Sequence, residues 1–260
     1  METIQQQIGA IQEEIKRLRE ELEVVKEELE VVKKGNFDTI TCLGWNVVDA
    51  DGKERITAFT NPDGQASVQW LDKDDKLRIS AGTLANGEAG VHLLDKDGNQ
   101  RISAETLANG ETSVHLRDKD GKQRIYASTN HDGDAGVHLR DKDGKVRIVA
   151  VTLASGNVGV RWLDKDGNVR ISVTTKANGE AGVHLHDMNK NVRIVAATLA
   201  DGYAGVQLQD KEKNVRIAAV NLSDGYAGVQ WKDNDGTVRI NAATFADGDV
   251  ILPTQDEQYE

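Results

Sequence analysis

Short acidic phrases recur along this 260-residue chain and could bind a metal ion. One is DKDG at residues 118–121, and an Asp-x-Asp-Gly phrase also opens the calcium loop of an EF-hand. The rest of that loop, including its distal bidentate Glu, is absent. In two copies, at 187–190 and 210–213, the phrase ends in lysine, whose positive charge disfavours a bound cation. We therefore interpret the phrases as turns and expect no metal and no cofactor.

Four histidines occupy one position of a repeated sequence and could bind zinc. They are His92, His115, His138 and His184. In other copies the same position holds Gln69, Arg161, Gln207 and Gln230. Zinc needs nitrogen ligands that converge at about 2.0–2.1 Å on one ion, whereas equivalent positions of a repeat lie strands apart. We interpret this position as a solvated polar ladder.

An arginine followed by isoleucine recurs every 23 residues, with a glycine nine residues after each arginine. The arginines are Arg55, Arg78, Arg101, Arg124, Arg147, Arg170, Arg193, Arg216 and Arg239. A fixed period of 20 to 50 residues indicates stacked structural units. The arginines could bind an acidic partner, but we expect each to lie over neighbouring strands and to pair with carboxylates such as Asp118.

Composition narrows the function further. The chain offers no nucleophile–base pair, phosphate-binding glycine loop or catalytic carboxylate dyad, so we expect no enzyme. A net charge of -11 disfavours nucleic acid as a partner, and no apolar stretch is long enough for membrane insertion. The single cysteine, Cys42, excludes an intrachain disulfide. Because the first residues lack the apolar core of a secretory signal, we expect cytoplasmic synthesis without classical export.

Alternation with a period of two predicts β-strands within each unit. In RISAETL, Ile102 and Ala104 take an apolar face, while Arg101 and Ser103 take a polar, wet face. The following TSVHLRD alternates in the same way, and the DKDG and Asn-Gly phrases predict tight turns. Four tryptophans fall on the apolar register, where we expect them to fill wider layers of a core. They are Trp45, Trp70, Trp162 and Trp231.

The first segment predicts a coiled coil. Its apolar residues alternate in steps of four and three, and they are the expected oligomerisation residues: Ile4, Ile8, Ile11, Ile15, Leu18, Leu22, Val25, Leu29 and Val32. Ile at both a and d positions favours three or four strands over a parallel dimer. A parallel assembly also places glutamates at g opposite cations at e, in the pairs Glu14–Arg19, Glu21–Lys26 and Glu28–Lys33. A lone amphipathic helix packed on its own chain is the alternative.

These patterns predict an all-β repeat with an N-terminal α-helical coiled coil. We divide the chain into a parallel coiled coil at 3–34, an adaptor at 35–44, a nine-unit β shaft at 45–250 and an acidic tail at 251–260. The shaft would be a meander of about 18 strands, whose small inward residues favour a trimeric β-prism. A two-sided β-solenoid and a closed single-chain hairpin barrel are the alternatives.

The units resemble tandem repeats of uncharacterised bacterial proteins that also begin with a helical segment. Their phrase V-R-A-x-L-G-V-x-x-D-G-x-x-G-L-x-L-x-D-x-D-G is matched here by VRIVAVTLASGNVGVRWLDKDG at 146–167. The resemblance covers about residues 40 to 250 and departs from the family where that phrase has Leu-Gly. It implies no activity or site residues. The layout, a coiled-coil neck before a repetitive β shaft, resembles trimeric phage-type tail fibres by analogy.

We therefore expect a non-enzymatic structural fibre or stalk formed by parallel homotrimerisation, acting as a spacer or filament component. Such a fibre could belong to a phage-like or extracellular assembly. An adhesin or receptor-binding fibre that recognises glycans or acidic surfaces is an alternative, with protein or glycan partners at the shaft surface or ends. A second alternative is lipid binding inside the closed barrel.

Overall fold

The computed structural model describes residues 2–34 and 44–251 of the chain. Helix α1 spans Glu2–Lys34, which covers the predicted helical segment. The adaptor up to residue 43 and the acidic tail from residue 252 lie outside the described residues, as do the side chains of Ile4 and Val32. The chain divides into a helical unit and a β unit between residues 43 and 44.

The second unit consists of 19 β-strands. They are β1 Gly44–Val48, β2 Glu54–Thr60, β3 Ala66–Leu71, β4 Leu77–Thr83, β5 Ala89–Leu94, β6 Gln100–Thr106, β7 Thr112–Arg117, β8 Gln123–Thr129, β9 Ala135–Arg140, β10 Val146–Thr152, β11 Val158–Leu163, β12 Val169–Thr175, β13 Ala181–His186, β14 Val192–Thr198, β15 Ala204–Gln209, β16 Val215–Asn221, β17 Ala227–Lys232, β18 Val238–Thr244 and β19 Val250–Ile251. Eighteen of them form the nine predicted units, and β1 adds one strand before the first arginine.

All of these strands belong to one antiparallel sheet. Each strand pairs with the next in the chain, from β1–β2 to β18–β19, and within 44–251 no pairing joins β1 to β19. The predicted all-β meander behind an N-terminal helix is therefore confirmed. A solenoid would have parallel neighbours one unit apart, so that alternative was wrong. The closed single-chain arrangement was also wrong, because the sheet is open.

Every hairpin uses the same three-residue loop. In the loop after β5, the Asp95 N–H donates to the Asn99 carbonyl at 2.9 Å and the Gly98 N–H donates to the Asp95 carbonyl at 3.1 Å. Gly98 has a φ of 85°, the left-handed conformation that follows a type I turn in such hairpins. The predicted role of the turn glycines is thus confirmed. Three loops place other residues in this conformation, namely Asp75, Lys190 and Lys213.

The strand register separates two faces of the sheet. On the apolar face, Ile102 lies opposite Leu116 and Ala104 lies opposite Val114. On the polar face, Ser103 lies opposite His115, and the arginines share this side. Successive side chains of a strand point to opposite faces, so the predicted alternation appears directly in the pairing.

The β unit has almost no core of its own. Among the residues with described burial, only Ser103, Gly228 and Ala243 are buried. Apolar-face side chains stay open: Val114 is 41% exposed and Trp231 is 40% exposed. A one-layer sheet has nothing to pack against, because stable domains bury a sheet face under a second layer.

The expectation that the polar face would be the wetter one was wrong for a single chain. Ser103 on the polar face is fully buried between its cross-strand neighbours His92 and His115. Long Arg, Gln and His side chains lie along this face and cover their small neighbours. The Val, Ala and Thr side chains of the apolar face are too short to cover one another.

The three non-glycine residues in the left-handed conformation generate a prediction about stability. We expect Lys190→Gly and Lys213→Gly each to stabilise the sheet by about 1 kcal/mol, because a Cβ strains this conformation. Thermal and urea unfolding of the full chain measure the change. Gly98→Ala is the matched control and should destabilise by a similar amount. A loss of stability in both Lys→Gly variants would contradict the assignment of strain.

Candidate functional site

The most regular feature of the sheet is the environment of the nine arginines. Each arginine is the extra residue of a β-bulge. Leu93 pairs with Ile102 but Leu94 pairs with Gln100, so Arg101 has no cross-strand partner. The same register shift occurs at all nine arginines. A bulge redirects the side chains around it, and here Gln100 contacts His92 on the polar face beside Arg101.

The sequence contains a signal for the bulge that our prediction missed. Counting outward from the Gly98 turn, Leu93 would stand opposite Arg101 in an unbroken ladder. Only one inserted residue brings Leu93 opposite Ile102, so that both apolar side chains share a face. The last strand of one unit and the first strand of the next are therefore out of step by one residue when counted from the turn that joins them.

Each arginine forms an ion pair with an aspartate of its own turn. The pairs are Arg55–Asp49, Arg78–Asp72, Arg101–Asp95, Arg124–Asp118, Arg147–Asp141, Arg170–Asp164, Arg193–Asp187, Arg216–Asp210 and Arg239–Asp233. The prediction that these arginines pair with carboxylates such as Asp118 is confirmed. We call each such pair an Arg–Asp clamp.

Eight of the nine arginines also reach the next turn that contains a clamp aspartate. The Arg193 Nε donates to the Gln209 carbonyl at 2.7 Å, and the Arg216 Nε donates to the Lys232 carbonyl at 2.8 Å, each immediately before that turn. The other six arginines of this kind also donate to a carbonyl in or immediately before the corresponding turn. A clamp therefore ties one hairpin loop to the next along the sheet, so its direct effect is structural.

The aspartate of a clamp has its oxygens occupied by its own loop. The Asp164 Oδ1 accepts the Asp166 N–H at 2.9 Å and the Asn168 N–H at 3.0 Å, while Oδ2 faces Arg170 at 2.9 Å. The Asn168 N–H lowers the pKa of Asp164 most, and although burial raises it, the other donors and Arg170 bring that pKa to about 2. This arrangement gives the acidic phrases a turn-forming role, as predicted. No cluster of three or more metal-ligating side chains occurs within 2–34 and 44–251.

The histidine ladder lies on the polar face and contacts its neighbours rather than a common centre. Tyr126 stands between two of the histidines, with ring centroids 4.9 Å from His115 and 5.9 Å from His138. The Gln123 amide lies 2.6 Å from the His115 Nδ1. The predicted placement of these histidines on one ladder is confirmed, but their side chains are half-buried rather than fully solvated.

The predicted oligomerisation residues lie along α1. Those with described side chains are about half exposed: Ile8, Ile11, Ile15, Leu18, Leu22, Val25 and Leu29. Within the helix, Arg17 pairs with Glu14 at 2.6 Å and Lys26 pairs with Glu23 at 2.6 Å. Both pairs are exposed and each contributes at most about 1 kcal/mol, so they leave the side chains able to exchange partners.

The apolar face forms two open concavities. One of about 900 Å³ lies between β12 and β19, and another of about 410 Å³ lies between β7 and β11. Val, Ala and Thr side chains such as Val183, Val206 and Ala219 line the larger one. Trp162 lies on the same face, because it pairs with Ile148 and Ile171 on the neighbouring strands. Its side chain is exposed, so it does not fill a core within the single chain.

The lowered pKa of the clamp aspartates generates a pH prediction. A carboxylate whose pKa is depressed on folding stabilises the fold above its ordinary pKa near 4, and this contribution disappears as the pH falls through the folded value. We expect the melting temperature to decrease as the pH is lowered from about 4 to about 2. Circular dichroism melts from pH 7 to pH 2 measure it.

Two variants separate the clamp from general acid effects. Asp164→Asn should lower the melting temperature at pH 7 but not at pH 2, because the amide keeps an acceptor for the turn and loses the ion pair. The control is Asp166→Asn, whose carboxylate pairs, among residues 2–34 and 44–251, with exposed Lys165 alone. This variant should change the melting temperature little at either pH. Equal effects of both variants at pH 7 would contradict a stabilising clamp.

Comparisons with known proteins add little to this geometry. No protein-family model matches the chain, and no curated protein matches it. Among solved structures, the chain is similar to the SAS-4 (dCPAP) TCP domain in complex with a Proline Rich Motif of Ana2 (dSTIL) of Drosophila Melanogaster. That match has 14% identity and a TM-score of 0.37, and it covers 63% of this chain and 88% of that chain. We assign no function from it. No helix among the described residues is long and apolar enough to cross a membrane.

Proposed function

We propose that this chain is a non-enzymatic structural protein that assembles as a parallel homotrimer. In this assembly the helices form a three-stranded coiled coil. The apolar faces of three sheets meet around a common axis as a β-prism. The protein then acts as a stalk or spacer.

The exposed apolar face is the observation that carries the proposal. It runs along the whole sheet and includes Val91, Val114, Val137, Val183 and Val206, each 37–41% exposed. Because two fifths of each such side chain is still open, its burial would contribute on the order of 1 kcal/mol. A row of these residues would contribute on the order of 10 kcal/mol per chain. A second copy of the same face is a suitable cover because its residues are equally small and apolar.

The helix supports the same symmetry independently. Its exposed seam has Ile8 and Ile15 at position a and Ile11 at position d, and Ile at both positions favours more than two strands. In a parallel assembly Glu14 meets Arg19 of a neighbouring copy, so charge complementarity sets the direction. Two unrelated patterns thus favour one mode of self-association.

The regularity of the repeat favours a structural role over a catalytic one. Each of the nine arginines makes the same clamp, whereas an active site needs a unit in which reactive groups converge. The layout also resembles trimeric phage-type tail fibres, so a phage-like or extracellular assembly is the setting that we propose for such a stalk. This setting rests on the analogy of layout alone.

The solution mass tests the assembly. We expect size-exclusion chromatography with light scattering to give about three times the chain mass of 28.4 kDa. The variant Ile15→Asn/Leu22→Asn removes apolar seam residues and should lower the mass or the dissociation midpoint. The control Glu13→Asn/Glu20→Asn makes the same change on the opposite side of the heptad and should not. A wild-type mass of 28.4 kDa at micromolar concentration would overturn the proposal.

A second pair of variants tests the sheet separately from the helix. Val206→Lys places a charge on the apolar face and should weaken assembly, because the prism would bury that charge. Gln207→Lys, one residue away on the polar face, should leave the mass unchanged. Analytical ultracentrifugation over a concentration series measures both. Equal dissociation constants of the Val206→Lys and Gln207→Lys assemblies would contradict the proposal of a shared apolar interior.

A further inference from the structure

Two of the nine hairpins that carry an Arg–Asp clamp differ from the rest in charge. Residues 117–124 and 140–147 each contain four Lys or Arg and two Asp, a net charge of +2. The equivalent eight-residue segments of the other seven units range from -1 to +1. Compared with the neutral segments 94–101 and 163–170, the difference arises at two positions. Arg117 and Arg140 replace a leucine at the end of the second strand, and Lys122 and Lys145 replace an asparagine after the turn. The two hairpins follow each other in the sheet, so they form one positive patch on a chain of net charge -11.

Neither of these extra arginines is neutralised. The neighbouring Arg124 is paired with Asp118 in a clamp. Arg117, by contrast, donates to the Gln100 side chain, and Arg140 donates to the Gly144 carbonyl at 3.1 Å. Within the described residues neither forms an ion pair, so two positive charges stay available on the polar face.

The same patch has hydrogen-bond donors without acceptors. The Arg124 Nη1 and the Arg140 Nε within the patch, and the Arg101 Nη1 beside it, are buried and have no partner within the described residues. A buried donor without an acceptor costs about 1–3 kcal/mol, so such groups are rare in folded proteins. Guanidinium groups are thus concentrated at this place, and the unpaired charges of Arg117 and Arg140 suit an oxyanion.

Aromatic side chains occupy the same face of the same strands as three of these cations. The array has two side chains from each of three adjacent strands: His115 and Arg117 from β7, Arg124 and Tyr126 from β8, and His138 and Arg140 from β9. In each pair the residues are two positions apart, so they share the polar face. Neighbouring strands are about 4.8 Å apart, so the array is about 10 Å wide. We call these six residues the β7–β9 array.

We propose that the β7–β9 array binds an anionic polysaccharide. A sugar ring lies against the Tyr126 ring, and sulfate or carboxylate groups pair with Arg117 and Arg140. Guanidinium groups bind such oxyanions with paired hydrogen bonds, and a tyrosine ring presents an apolar surface with a polar edge. Nucleic acid fits less well, since its closely spaced phosphates demand a larger basic surface than this acidic chain offers.

This site does not depend on the proposed trimer. It lies on the polar face, whereas the prism would bury the apolar face, so the site is present in the single chain and open in the assembly. Binding and assembly can therefore fail separately.

Titration of the full chain with heparin, a sulfated polysaccharide, tests the site. We expect saturable binding at physiological ionic strength that weakens with added salt, and no binding of neutral dextran. Arg117→Leu/Arg140→Leu should bind about tenfold more weakly, since it removes both unpaired charges. The double variant should fold normally because leucine occupies the same position in Leu71 and Leu163.

Two further variants test the location and the ring. Arg161→Gln removes a positive charge from the polar face outside the array and should bind heparin like the wild type. Tyr126→Ser introduces the residue type found at the equivalent position one unit earlier, Ser103. This variant should weaken heparin binding without altering the net charge. Melting curves and light scattering on the same samples report folding and assembly.

Three results would overturn the proposal. They are the absence of saturable heparin binding, equal affinity of wild type and Arg117→Leu/Arg140→Leu, and binding of single-stranded DNA as tightly as heparin of equal charge. The last result would mean that the array recognises charge and not a sugar. Heparin binding by a monomeric sample would support the array while contradicting the trimer.

Discussion

A sheet that forms a single layer cannot bury either of its faces against itself, and this constraint governs the whole β unit. A meander of consecutive hairpins supplies no crossover helices and no second sheet. Its apolar face therefore stays open, and only three residues with described burial are buried. In the homotrimer that we propose, hydrophobic burial, the main favourable contribution to folding, would come largely from contacts between copies. Self-association would then be part of folding rather than a later event.

Without a core, the sheet is held in register by local polar contacts. Each Arg–Asp clamp joins the bulge at the arginine to the loop of its own turn. In eight of nine cases it also joins them to a carbonyl in or immediately before the next such turn. A loop such as that of Asp164 and Arg170 is closed by backbone donors as well as by the ion pair. An exposed ion pair alone would contribute little, but a repeated network fixes the geometry of every turn that carries a clamp in the same way.

The two faces consequently have different tasks. The apolar face is uniform along the sheet and its side chains are small, which suits contact with an identical surface. The polar face carries the differences between units, since its ladder changes from histidine to glutamine or arginine and its hairpins change in charge. A repeat can keep its interior constant while one outward surface varies, and the β7–β9 array lies on that variable surface. A stalk and a binding surface are thus compatible in one chain.

The sequence by itself determined the helix, the strand alternation, the left-handed turn glycines and the pairing of arginines with aspartates, because each follows from contacts within a few residues or from a strict period. Only the tertiary structure decided between the meander, the solenoid and the closed barrel, and only it placed the bulge at every arginine. Alternation assigns Arg101 to a face but does not say which residue lies opposite it. The placement of Arg117, Tyr126 and Arg140 on three neighbouring strands likewise depends on register and not on sequence distance.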